Sequence, residues 1–154
     1  MVLYDSPCKA QGVEVRKGAF FADPIPGDVN LLKQLVENLI RNAMEAQPNG
    51  GYLEVELQHA EQEAVLFVRN AGFTLPADEA ERIFEPYFTT KAQGTGLGMS
   101  IASRIVKAHG GHMQVQTNGN GHVEISTHLP ITMTAPCIQE QQKGPIFNEN
   151  PRRG

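Results

Sequence analysis

The stretch that decides the fold is FEPYFTTKAQGTGLG, residues 84–98. Its first half sets aromatic side chains around a proline and ends in two threonines and a lysine, a set of hydroxyls and a cation that suits a phosphate. Its second half carries three glycines and leads into residues 97–109, whose apolar spacing predicts a helix. Free N–H groups at the start of a helix favour an anion. The stretch therefore predicts a phosphate-binding loop.

The glycine loop alone is weak evidence, and two better-known glycine motifs do not fit it. No apolar strand leads directly into Gly94, as a dinucleotide fingerprint requires, and no Gly-Lys-Ser/Thr follows, as a Walker A loop requires. Taken alone, Phe84 and Phe88 are more simply interpreted as core residues. The function of the glycine loop can therefore be predicted only together with the segments around it.

The rest of the chain follows two periodicities. Apolar pairs four residues apart predict a long helix over residues 29–47 with Asp28 as its N-cap, and a short helix over 77–84 follows Pro76. Alternating apolar residues predict five strands. These strands centre on residues 13–20, 53–57, 65–68, 113–117 and 123–129. The order predicts an α/β fold, a two-layer sandwich of one mixed five-stranded sheet with three main helices on one face.

Composition excludes several classes of protein. The chain has 154 residues, of which 40% are hydrophobic and 19% charged, and a formal net charge of −4. It lacks the basic stripe of a nucleic-acid-binding domain and the ~20-residue apolar run of a membrane helix. We therefore expect no nucleic-acid partner and no membrane contact. We divide the chain into a lead-in (1–11), one folded domain (12–131) and a polar, Pro/Gly-rich and flexible tail (132–154).

The long helix carries two asparagines, Asn38 and Asn42, four residues apart and hence on one side of the helix. A carboxamide oxygen is a hard ligand that suits Mg²⁺ carrying phosphates. The alternative is that both side chains simply face solvent. Glu37, Arg41 and Glu45 share the same spacing, and a surface ion-pair ladder is their simpler interpretation.

Four segments occur in a fixed order along the predicted sandwich, and together they resemble a known family. The order is a polar helix side, a glycine turn after a strand, the aromatic bend and the glycine loop. They are similar to the N, G1, F and G2 boxes of the ATP-binding catalytic domain of sensor histidine kinases, a Bergerat-type fold shared with gyrase, Hsp90 and MutL. The boxes correspond to residues 37–46, 70–76, 84–91 and 94–98. The F and G2 boxes are the most specific of the four.

The resemblance implies ATP and Mg²⁺ as cofactors and assigns roles to individual residues. Asn42 would coordinate Mg²⁺, Asn38 would support the metal and phosphate region, and Lys91 would hold phosphates; these three form the implied catalytic set. Gly72 would line the adenine pocket, and Phe84 and Phe88 would pack the base of the lid. The implied cofactor-binding set comprises Asn38, Asn42, Asn70, Gly72, Thr74, Phe84, Phe88, Thr89, Thr90, Lys91, Gly94, Thr95, Gly96, Leu97 and Gly98.

Two positions depart from the family pattern. The G1 box usually begins with an aspartate that accepts a hydrogen bond from the adenine amino group, and here that position is Asn70. A hydrogen bond to a neutral acceptor contributes less free energy than one to a charged acceptor. We therefore expect nucleotide binding to be weakened by roughly tenfold. Thr74 replaces a glycine of the same box. These departures motivate an alternative, a degenerate domain that acts as a docking module.

The implied reaction is transfer of the ATP γ-phosphoryl group to a histidine. None of the five histidines is followed by the acid-x-Arg pattern of a phosphoacceptor helix. We therefore expect the acceptor to lie on a dimerisation and phosphoacceptor domain outside this chain, with a response regulator downstream. The resemblance implies a cytoplasmic location, including the cytoplasmic part of a membrane-bound sensor. A serine kinase of the same superfamily, acting on a regulatory protein, is a further alternative.

Overall fold

Five strands form one mixed sheet in the order β1-β2-β3-β5-β4 in a computed structural model that describes residues 7–21, 24–91, 94–118 and 120–131. Only the β1–β2 pair is parallel. The other three neighbouring pairs are antiparallel. The strands are β1 Val13–Phe20, β2 Gly51–Ala60, β3 Glu63–Ala71, β4 His112–Thr117 and β5 His122–Pro130.

Two α-helices and one 3-10 helix complete the fold. They are α1 Val29–Glu45, the 3-10 helix Ala77–Phe84 and α2 Gly98–Ala108. Asp28 is the N-cap of α1, as predicted, because its Oδ1 accepts hydrogen bonds from the backbone N–H groups of Asn30 and Leu31 at 2.8 and 3.1 Å. The predicted α/β sandwich is confirmed, with the short helix wound as 3-10.

The apolar residues of the alternating strands face the helices. Val68 of β3 lies opposite Val55 on β2 and Ile125 on β5, and all three side chains are buried. They join one core cluster with apolar residues of both α-helices. The helical members are Leu35, Leu39, Ile40 and Ala43 of α1 and Met99, Ala102, Ile105 and Val106 of α2. Helix residues thus cover a single face of the sheet.

Part of the predicted lead-in packs on this core. Residues 7–10 are helical, and Cys8 is fully buried with its Sγ 3.4 Å from Met44 Sδ. The predicted tail, 132–154, lies outside the described residues, and so do residues 1–6. The division into lead-in, domain and tail stays a prediction. Within the described ranges no helix is long and apolar enough to cross a membrane.

The opposite face of the sheet is polar and centres on Arg69. Its guanidinium pairs with Glu54, Glu56 and Glu124 from the two neighbouring strands at 2.5–2.8 Å. Burial disfavours the charge of Arg69, but the hydrogen bonds outweigh it and raise the pKa of the guanidinium above its ordinary value. Hydrogen bonds from Gln58 and Arg69 lower the pKa of Glu56.

This cluster predicts an acid-side loss of stability. Because the folded-state pKa of Glu56 lies below its ordinary value of 4.5, the contribution is present above that pH and is lost as the pH falls through the folded-state pKa. We expect the stability advantage of the wild type over Arg69→Met to shrink in urea unfolding below about pH 4.5. The control is Arg104→Met, which removes an exposed arginine on α2, away from this cluster. An advantage independent of pH would contradict the prediction.

Candidate functional site

A cavity of ≈ 830 Å³ opens between α1, the end of β3 and the segment that connects the 3-10 helix to α2. The predicted cofactor-binding residues line it, with one exception. The lining members are Asn38, Asn42, Asn70, Gly72, Thr74, Phe88, Thr89, Thr90, Lys91, Gly94, Thr95, Gly96, Leu97 and Gly98. The fold thus brings all four sequence boxes to one place.

Phe84 is the exception. It ends the 3-10 helix and packs, partly buried, against the core cluster rather than lining the cavity. Phe88 does line the cavity, and the guanidinium of Arg82 lies 4.3 Å from the centre of its ring. The sequence suggested both core and lid roles for these phenylalanines, and the structure places Phe84 in the core.

The two helix asparagines occupy different environments. Asn38 is buried with 8% of its surface exposed, and its Nδ2 has no hydrogen-bond partner among the described residues. A buried donor without a partner costs free energy, so this group is suited to an acceptor that enters the cavity. A Cβ atom added to Gly98 would lie 3.5 Å from Asn38 Oδ1, which places the glycine loop against α1.

Lys91 closes the cavity against the second asparagine. Its Nζ lies 3.1 Å from Asn42 Oδ1 and 3.0 Å from Glu45 Oε2. Two oxygen atoms thus already hold a cation at this wall. Oxygen donors of this kind are the ligands that Mg²⁺ takes in proteins, so the donor set fits the implied metal. Glu45, assigned from sequence to a surface ladder, instead pairs across to Lys91.

Asn70 ends the core-facing row of β3. It is 1% exposed, its Nδ2 donates to the carbonyl of Ala71 at 2.7 Å, and its Oδ1 has no partner among the described residues. The side chain therefore presents an unused acceptor in the wall of the cavity. An amino group that donates to this oxygen would satisfy it.

The glycine loop is held against the aromatic bend. The backbone N–H of Tyr87 donates to the Gly96 carbonyl at 2.9 Å. Gly96 has φ +66°, and a Cβ there would lie 2.5 Å from the Tyr87 carbonyl carbon, so only glycine fits. Two threonine hydroxyls brace the turns on either side, with Thr89 Oγ1 accepting from Lys91 N at 3.1 Å and Thr95 Oγ1 from Leu97 N at 3.4 Å.

The loop ends where α2 begins. The N-cap is Leu97, whose apolar side chain accepts no hydrogen bond, and the first intrahelical bond runs from Ile101 N to Leu97 O at 2.9 Å. The N–H groups of the first turn therefore remain available at the cavity, together with the positive end of the helix dipole. This arrangement is suited to binding an anion.

Sequence reasoning missed several cavity residues. They are Arg41, Glu45, Ala46, Phe73, Leu75, Ile83, Met99 and Ile101. Arg41 and Glu45 lie one helical turn from Asn38 and Asn42, so the polar side of α1 carried a signal for them. Of the apolar members, Ala46, Phe73 and Leu75 fall within the segments 37–46 and 70–76 that carry the resemblance. For the other three, no sequence signal separates a cavity residue from a core residue.

The chain matches the model of one protein family over residues 27–133, described as histidine kinase-, DNA gyrase B-, and HSP90-like ATPase. It is 38% identical over 107 residues to sporulation kinase C of Bacillus subtilis, covering 70% of this chain and 25% of that protein. It is 36% identical over 110 residues to the sensor histidine kinase ZraS of Escherichia coli K12, covering 71% and 24%. The chain thus spans about a quarter of the length of these relatives.

Solved structures give the same picture. A nucleotide-free catalytic domain of histidine kinase ThkA superposes with a TM-score of 0.74 at 30% identity, covering 84% of this chain and 86% of that one. A second ThkA structure, in complex with the response regulator protein TrrA, matches with a TM-score of 0.72 at 28% identity, covering 85% of this chain and 38% of that one.

Proposed function

Because the chain belongs to the histidine kinase-, DNA gyrase B- and HSP90-like ATPase family, we propose that its cavity binds ATP with Mg²⁺ and presents the γ-phosphoryl group to a histidine. The acceptor histidine would lie on a dimerisation and phosphoacceptor domain of the same kinase, with a response regulator as the next partner. The similar structure of ThkA in complex with a response regulator protein supports the proposal of a response regulator as partner. We also propose that the chain works in the cytoplasm. The unused oxygen of Asn70 in the cavity wall is the observation that carries nucleotide binding.

Base recognition would fall to the end of β3. Asn70 Oδ1 would accept a hydrogen bond from the exocyclic amino group of adenine, which removes the cost of a buried acceptor without a partner. Gly72 and Thr74 continue this wall of the cavity. A base without a donor at that position would leave the oxygen unsatisfied, so adenine is favoured over such a base.

The phosphates would lie between the glycine loop and α1. Gly94, Gly96 and Gly98 let the backbone approach closely, and the first residues of α2, Gly98 and Met99, line the same cavity with their unpaired helix N-terminus. Lys91 has a four-carbon stem, so its ammonium can turn from Asn42 towards a phosphate oxygen. The buried Nδ2 of Asn38 can donate to a further oxygen.

Asn42, supported by Asn38, would hold Mg²⁺. The metal supplies neutralisation of the phosphate charge, and in phosphoryl transfer most of the catalysis is positioning and electrostatic stabilisation. The contribution of the chain is therefore to orient the phosphate chain with Asn38, Asn42 and Lys91 and to exclude water from it. No residue of this cavity needs to act as a nucleophile for that role.

Calorimetry with ADP and a non-hydrolysable ATP analogue, with and without Mg²⁺, tests the binding step. We expect binding in the micromolar to sub-millimolar range that strengthens with Mg²⁺. Absence of heat at millimolar nucleotide, from a folded sample, would favour the degenerate docking module. With the phosphoacceptor domain present, an acid-labile radiolabelled product would support phosphohistidine, and an acid-stable one would indicate a serine kinase.

Asn70→Asp is expected to strengthen ADP binding by roughly tenfold, because the adenine amino group would then donate to a charged oxygen. The same change should lower the stability of the nucleotide-free protein, since a buried carboxylate replaces the amide that donates to the Ala71 carbonyl. Calorimetric ADP affinity and urea unfolding measure the two effects. Asn118→Asp, in the β4–β5 turn, changes the net charge equally and is the control. An ADP affinity no better than wild type would contradict the prediction.

A further inference from the structure

Three side chains that the nucleotide cavity does not use meet on the polar face of the sheet. Glu63 begins β3, His112 begins β4, and His128 lies on β5 between them. His112 and His128 are direct cross-strand partners, and Glu63 is diagonal to His128, since Val65 pairs with His128. Three neighbouring strands therefore each contribute one metal-ligating side chain to one spot.

The geometry of the cluster is tight. His128 Nδ1 lies 3.0 Å from Glu63 Oε2. The two imidazole rings stack with their centres 4.3 Å apart and an angle of 13° between their planes. One ligating atom from each of the three residues lies within 4.8 Å of the other two. Around a tetrahedral zinc ion, neighbouring ligand atoms stand about 3.3 Å apart, so the Glu63–His128 pair is already at that spacing.

We propose that Glu63, His112 and His128 form a binding site for a divalent transition metal, with Zn²⁺ as the best-suited ion. Two imidazole nitrogens and one carboxylate oxygen are a common zinc donor set with a fourth position left to water or to a ligand from a partner. Two nitrogen ligands disfavour Mg²⁺ and Ca²⁺, which take oxygen. The inference is independent of the proposed kinase function.

The local structure favours capture of an ion. The three ligand residues lie on neighbouring strands that are hydrogen-bonded to one another, and this pairing limits the movement of their backbones relative to each other. His112 is exposed, so its ring can rotate out of the stack and turn a nitrogen towards the other two ligands. His128 and Glu63 are only partly exposed, at 21% and 40% of their side-chain surface. The ion would take the place of the direct contact between His128 Nδ1 and Glu63 Oε2.

The site lies far from the nucleotide cavity. Glu63 and Asn70 are at opposite ends of β3, seven residues and therefore about 23 Å apart, and their side chains lie on opposite faces of the sheet. Metal bound there would join three strands at the end remote from ATP. Because a ligand that binds only the folded state stabilises it, we expect Zn²⁺ in excess to raise the Tm by about 5 °C.

The test is titration of the untagged, nucleotide-free chain with ZnCl₂, followed by calorimetry and thermal unfolding. We expect His128→Ala and His112→Ala each to weaken this binding by at least about tenfold and to abolish the Tm increase. His59→Ala removes a strand histidine outside the cluster and should leave both values unchanged. Glu63→Gln keeps the shape of the side chain and guards against a folding artefact; it should also weaken binding.

Cobalt identifies the ligands directly. Co²⁺ bound to imidazole and carboxylate should give visible bands in the wild type that are lost in the His112→Ala/His128→Ala double variant, without a thiolate charge-transfer band. Zinc binding and a Tm increase that survive in the double variant would overturn the proposal. A strong thiolate band would do the same, because it would assign the metal to a cysteine.

Discussion

Asn42→Ala should reduce phosphoryl transfer by at least about a hundredfold, because loss of a group that orients a metal costs ten- to a hundredfold and Asn42 is proposed to hold the ion itself. The variant removes the oxygen that lies 3.1 Å from Lys91 Nζ, while the contact of this ammonium with Glu45 on the same helix remains. Autophosphorylation of the kinase, with its phosphoacceptor domain present, measures the loss.

Calorimetry with ADP distinguishes the contribution of Mg²⁺ to nucleotide binding from the contribution of base recognition. For Asn42→Ala we expect Mg²⁺ to lose its strengthening effect on ADP binding, while binding without Mg²⁺ changes little, since Asn70 and the glycine loop remain. The matched control is Asn30→Ala, an asparagine in the exposed first turn of the same helix. Equal effects of Mg²⁺ on the variant and the wild type would contradict a metal role for Asn42.

Gly72→Ala should lower the free energy of unfolding by at least about 2 kcal/mol. Gly72 has φ +83°, a left-handed conformation that costs ~1–2 kcal/mol in any other residue. An added Cβ would also lie only 2.7 Å from the carbonyl carbon of Ala46, at the end of α1. This close approach sets β3 against α1 beside the cavity, so ADP affinity should fall with stability. Urea unfolding and calorimetry measure the two.

Gly110→Ala is the matched control for the steric part. Gly110 has φ +76°, but a Cβ there would lie 3.7 Å from the nearest atom, on Pro130. It therefore carries the conformational cost without the overlap and should lose only about 1–2 kcal/mol with unchanged ADP affinity. If both variants lost the same stability, the contact between Gly72 and Ala46 would not be the cause.

Most of the fold could be predicted because its signals are local. The alternation of apolar and polar side chains within each short segment identified all five strands, and Asp28 marked the start of α1. The short helix predicted over residues 77–84 is present with those bounds, and it is wound as a 3-10 helix. The sequence also allowed most cavity residues to be assigned to one site, because the order of their segments matched a family pattern.

Contacts between distant segments had no such signal. The Lys91–Glu45 pair and the cluster of Glu63 with two histidines each join residues that are far apart in the chain. The partner of a charged or aromatic side chain depends on the register of the strands and the packing of the helices. Neither can be predicted from a short segment of sequence alone.

The sequence by itself determined the element order, the positions of the glycines and the polar side of α1, because periodicity and backbone preference act within a few residues. The tertiary structure decided which of those groups meet. Only the packed sandwich leaves Asn70 with an unused buried oxygen, sets Lys91 on Asn42, and aligns Glu63, His112 and His128 across three strands. Burial and register are properties of the assembled chain, and they turn a pattern of residues into sites.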